Sequence, residues 1–82
     1  MSDEMRRAQL LLRATEINDF FYTRNLKSFF FLDKLIRALT EYEIVNFDRV
    51  EMALNICDLF SEHEHDYDEE LALSLVVGVI NG

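Results

Sequence analysis

The residues best suited to chemistry sit in one short run, Glu62 to Glu70 (EHEHDYDEE), where His63 and His65 alternate with carboxylates. Imidazole and carboxylate are both good ligands for zinc and related ions. Glu64, Asp66 and Asp68 also imitate the first three ligands of a calcium loop. The imitation stops there: Glu69 takes the turn position, where glycine is required, and Leu75 takes the last position, where a bidentate glutamate is required. No metal site and no cofactor are expected. The six acids in these nine residues repel one another and show no periodicity, so the run is expected to be a loop. Carboxylates on both sides of the histidines favour the imidazolium form. The acidic tail of the run, Asp66 to Glu70, suits the positive end of a following helix.

Nucleophilic chemistry has less to work with. Ser2, Ser28, Ser61 and Ser74 lie in no nucleophile-elbow context, and with Gly78 and Gly82 as the only glycines there is no phosphate-cradling loop. Cys57 is the only cysteine; it lies on an apolar helix face with no basic neighbour in sequence, so it is expected to be a buried, unreactive thiol. The expectation is a protein that is not an enzyme. Two constellations suit binding instead. Phe30 falls in a polar arc with Asp33, Lys34, Arg37 and Glu41, which makes it either an interface anchor rimmed by charge or a ring covered by an irregular helix start. Asp48, Glu51, Asn55, Asp58 and Glu62 share one side of a later helix as an acidic ridge, either plain solvated surface or a docking face for a basic partner. Reversing charges on that ridge is expected to relieve repulsion and leave the fold intact or slightly more stable.

These side chains need elements to position them, and the strongest helical period lies in Ser28 to Tyr42. There Phe29, Phe31, Leu32, Leu35, Ile36, Ala38, Leu39 and Tyr42 fill about half of the circumference, wider than the stripe of an ordinary surface helix. Before it, the seam Leu10, Ala14, Ile17, Phe21 recurs at four, three and four residues, with Ser2 or Asp3 as the cap. A turn between Tyr22 and Ser28 is expected, with Asn25 or Ser28 capping the second helix. Asp48 and Glu51 stand in capping-box spacing at the start of a third helix, with Asn46 as the rival cap. Its buried arc is Phe47, Val50, Ala53, Leu54, Cys57 and Phe60, widened by Met52, Ile56 and Leu59. The last segment, LALSLVVGVI, alternates as a strand would, but the chain offers no strand to pair with, so a helix is expected. Ser74 and Gly78 then form a small-residue notch that another helix could enter and that Gly78→Leu would overfill.

Eighty-two residues without proline, half of them hydrophobic, make one all-α domain over 1–82, a small bundle of four helices near 3–22, 28–42, 47–62 and 68–80. The second and fourth are expected to be the most central. Charge is uneven: residues 1–37 hold seven bases and five acids, whereas 38–82 hold Arg49 against eleven acids. Such a dipole points to a basic partner, or to the two oppositely charged ends meeting in an antiparallel bundle. It argues against direct nucleic-acid binding. No apolar run reaches membrane-spanning length, so no membrane insertion and a cytoplasmic location are expected.

In size, charge and inferred fold the chain resembles the general class of small acidic antagonists: immunity proteins, antitoxins, and the anti-host or lysis-control proteins of phages. That resemblance implies a non-enzymatic inhibitor, antagonist or adaptor of a larger, basic protein. The binding residues expected are Phe30, Lys34, Arg37, Asp48, Glu51, Asp58 and Glu62. The competing classes are a structural subunit assembling with its copies through residues 71–80, and an acidic mimic of nucleic acid acting on a nucleic-acid-binding protein.

Overall fold

The computed structural model describes residues 2–25, 29–43, 45–62 and 68–81, with the side chains of Phe29 and Phe30 outside that description. The fold is all-α, with four helices: α1 (Asp3–Thr23), α2 (Phe29–Thr40), α3 (Phe47–Glu62) and α4 (Glu69–Asn81). No described helix is long and apolar enough to cross a membrane.

Local chemistry explains most of the helix ends. Ser2 Oγ accepts from the Met5 amide at 3.2 Å, and Asp3 and Glu4 lie in the first turn against the helix dipole. The first helix stops because Asn25 adopts a left-handed backbone (φ 56°), a conformation asparagine tolerates better than most residues. Asn25 therefore ends α1; whether it or Ser28 caps α2 turns on residues 26–28, which lie outside the described residues. The second helix ends at Thr40, before Tyr42, which is also left-handed (φ 59°). The Glu43 amide reaches back to the Ala38 carbonyl at 3.0 Å, the bond of a Schellman cap built without glycine. Of the two candidates for the α3 cap, it is Asn46 that accepts from the Arg49 amide at 3.2 Å, while Asp48 and Glu51 are engaged elsewhere. Asp68 caps α4, accepting from the Leu71 amide at 3.1 Å. The residue that imitates a calcium ligand in the sequence is thus a helix cap; His63 to Tyr67 lie outside the described residues.

The core forms where the seam of α1 (Leu10, Ala14, Ile17, Phe21) meets Leu32, Leu35 and Leu39 of α2 and Val50, Ala53, Leu54 and Cys57 of α3, closed by Ala72 and Val76 of α4. Phe21, Leu32, Leu39 and Leu54 are its largest fully buried side chains. α1 packs against both α2 and α3, and α4 packs against α3. The central pair is therefore α1 and α3, with α2 and α4 flanking, contrary to the reading from hydrophobicity. The apolar breadth of α4 is not covered: Leu71 and Leu75 are 50% and 44% exposed, Gly78 faces outward, and nothing lies within 4 Å of where its Cβ would be. The Ser74–Gly78 notch is open surface on this chain. Tyr42, Met52 and Leu59, placed by periodicity on buried arcs, are exposed as well. Met52 and Leu59 project on the side of α3 opposite Val50 and Cys57, where the helix has no neighbour to meet.

Candidate binding surfaces

The acidic ridge of α3 faces the arginines of α1. Arg6 Nη2 bonds Asp48 at 2.6 Å and Glu51 at 3.0 Å; Arg13 Nη2 bonds Asn55 Oδ1 at 2.6 Å and Asp58 at 2.5 Å. These bonds to Asp48, and next to Glu51, hold the Arg6 guanidinium above its ordinary value against the opposing effect of desolvation. The two sets repeat with the same seven-residue step on both helices, so α1 and α3 run in the same direction. The oppositely charged parts of the chain do meet, but across a parallel pair of helices and not in the antiparallel arrangement that the charge asymmetry suggests. Glu62, at the end of α3, stays exposed and takes no part in the ladder.

Arg7 fastens the other side of α1. Its guanidinium donates to the carbonyls of Leu39 (3.2 Å) and Glu43 (2.9 Å), beyond the end of α2, and lies 5.3 Å from the ring centroids of both Tyr42 and Phe47. A positive group on unsatisfied carbonyls at a helix C-terminus is stabilising. This also fixes α2 antiparallel to α1. Arg49 repeats the arrangement, with Nη1 on the Ile80 carbonyl at 3.3 Å in the last turn of α4.

A different picture holds on the outer face of α2. Phe31, Leu35 and Ala38 of α2, Val45 of the connector, Val50 of α3 and Ile80 of α4 form an open apolar groove of about 330 Å³. Lys34 and Arg49 stand at its edges, and an adjoining shallow depression is lined by Phe31, Asp33, Lys34 and Arg37. Lys34, Arg37 and Arg49 make no ion pair among the described residues. Asp33 lines that depression too and Glu41 lies one turn beyond Arg37 on the same arc, so the three cations stand against two carboxylates.

The binding residues expected from sequence thus separate. Asp48, Glu51 and Asp58 are paired with α1, Glu62 is exposed at a helix end with no ion pair among the described residues, Lys34 lines the groove and Arg37 the depression beside it, and the side chain of Phe30 lies outside the described residues. Sequence reasoning missed Arg49, Val45 and Ile80. Arg49 carried a signal as the one base among residues 38–82, but nothing local ties the end of α4 to α2. Cys57 is buried in the core, and desolvation, with the Asp58 charge adding and Arg13 opposing, pushes its thiol up to about 12. No protein-family model matches this chain, and comparison with curated proteins and with solved structures finds no match.

Proposed function

We propose that this chain is a non-enzymatic protein-binding domain, an inhibitor, antagonist or adaptor of a larger protein, and that it docks through the α2 groove and not through the ridge of α3. The observation that supports this is the contrast between two sets of charges. Asp48, Glu51 and Asp58 of the ridge are already paired with α1, whereas the cations around the half-buried apolar floor have no carboxylate partner among the described residues. An apolar centre bordered by charge is the usual anatomy of a binding patch. The same pairing leaves less free charge for a mimic of nucleic acid.

The test compares capture of a partner from native host extract by the wild-type chain and by the double reversal Lys34→Glu/Arg37→Glu, both exposed positions whose change should leave the fold intact. Capture reduced about tenfold by the reversal supports the docking face. Equal capture by both proteins would place binding elsewhere and end this reading of the groove. A second reading, assembly of copies through residues 71–80, is favoured by the exposure of Leu71 and Leu75 on the same face of α4 as Ser74 and Gly78. A mass that remains that of one chain across a concentration series would count against it.

A further inference from the structure

We infer that the occupant of the α2 groove is an acidic amphipathic helix of the partner, which sets its apolar side chains on the groove floor and its carboxylates on Lys34, Arg37 and Arg49. This rests on the protein-binding reading above and adds the chemistry of what is bound. Three observations carry it. First, the floor follows α2 for two turns: Phe31, Leu35 and Ala38 recur at four and three residues, and Val45, Val50 and Ile80 complete the lining. A furrow of that period fits the apolar face of a helix, which presents side chains at the same spacing. Second, the groove is partly open and modest in volume at about 330 Å³, which suits a few side chains of a larger body lying across it better than a small molecule enclosed on all sides.

Third, the cations stand on both edges. Lys34 and Arg37 lie on α2, and Arg49 lies across the floor on α3, so carboxylates on the two flanks of an incoming helix would each meet a positive partner. Arg49 spends one bond on the Ile80 carbonyl and keeps other guanidinium donors available. In a chain of net charge −8 this is a locally positive site, so it selects against basic segments by the repulsion of its rim and for acidic ones by attraction. Asp33 at the rim's outer end lessens the field without reversing it.

The experiment titrates the isotope-labelled full chain with three probes and follows its backbone amide resonances. The first probe is a helical peptide with leucines on one face flanked by glutamates; the second has the same leucines flanked by lysines; the third is decanoate, a free anionic amphiphile. The acidic peptide should shift the amides of residues 31–38, 45–50 and 79–80, and its affinity should fall about tenfold in Lys34→Glu/Arg37→Glu and decline with added salt. The lysine peptide should bind the wild type at least tenfold more weakly and should gain on the reversal variant. Several results overturn the inference: equal or tighter binding of the lysine peptide, no shift of these amides by either peptide, decanoate displacing the acidic peptide from the same amides at lower concentration, or a concentration-dependent dimer abolished by the reversal. Capture of a host protein through the groove together with preference for the lysine peptide would leave the protein-binding reading standing and remove this one.

Discussion

Replacing Gly78 gives the sharpest test of how α4 sits, because periodicity and structure expect opposite signs. On the sequence, Ser74 and Gly78 form a notch that a leucine would overfill, with a loss of about 1 to 3 kcal/mol. In the structure Gly78 lies inside α4, its φ is not positive, and a Cβ built on it meets nothing within 4 Å. Steric cost is absent, and only the backbone entropy of glycine remains, which disfavours a helix interior by about 0.5 to 1 kcal/mol relative to alanine. Because the site is three residues from Asn81, where the helix ends, fraying lowers the gain toward about 0.5 kcal/mol. Gly78→Ala should therefore raise the melting temperature by about 3 °C, and Gly78→Leu should raise it by a similar or smaller amount. Thermal and urea unfolding by circular dichroism, with mass measured at the same concentrations, provides the assay. A leucine variant destabilised by about 1 kcal/mol or more, with a drop from a larger assembly to one chain, would show that copies close on this face and that its exposure belongs only to the separated chain.

Three further outcomes follow from contacts in the bundle. Arg7→Ala should cost about 2 kcal/mol through the charge-assisted bonds to Leu39 and Glu43 and the contacts with Tyr42 and Phe47, and Arg7→Lys should restore less than half, since one ammonium cannot keep the planar fork; full rescue in urea unfolding would refute the fork. A double-mutant cycle on Arg13 and Asp58, whose side chains are 32% and 42% exposed, should yield a coupling of about 0.5 to 1 kcal/mol, and Asp58→Lys should destabilise; a gain in stability would restore the repulsive view of the ridge. Between pH 9, the ordinary value for the thiol, and about 12, where burial places it, an unfolded chain sheds the Cys57 proton that the native state keeps, so stability should fall with rising pH by up to about 1.4 kcal/mol per unit; urea unfolding of Cys57→Val should lack that component, and parallel pH profiles for the two proteins would refute it.

The fold was legible where helical period and burial coincide. The seam Leu10, Ala14, Ile17, Phe21 of α1 and the residues Val50, Ala53, Leu54 and Cys57 of α3 are core in both readings. What periodicity could not supply was the number of neighbours around each helix. Breadth of apolar surface suggested that α2 and α4 lie innermost, yet Leu71 and Leu75 are exposed while the narrower seam of α1 carries the centre, because a helix between two others needs only enough apolar width for each contact. Helix ends without glycine were equally hard to place: Asn25 and Tyr42 take left-handed backbones, and Tyr42 gives no sign of it in its identity. Of the binding surface, Lys34 and Arg37 were visible as charges on a helix facing away from its apolar stripe. The groove they border was not, since Val45, Arg49 and Ile80 come together only through tertiary packing.

The ladder between α1 and α3 bears on register as well as on stability. Exposed ion pairs contribute little net energy, but a pair lost on sliding contributes to the difference between alternatives. If α3 moved one turn so that residues four later faced the same arginines, Arg6 would meet Met52 and Asn55, and Arg13 would meet Leu59 and Glu62. Moved four the other way, Arg13 would meet Glu51 beside Leu54, and Arg6 would face Phe47 without a carboxylate. Of these three registers the observed one alone gives both arginines a carboxylate; a slip of three would also do so, through Glu51 and Asp58, so the pairs exclude the four-residue slips and not that one. Asp48, Glu51 and Asp58 are thereby committed to holding α1.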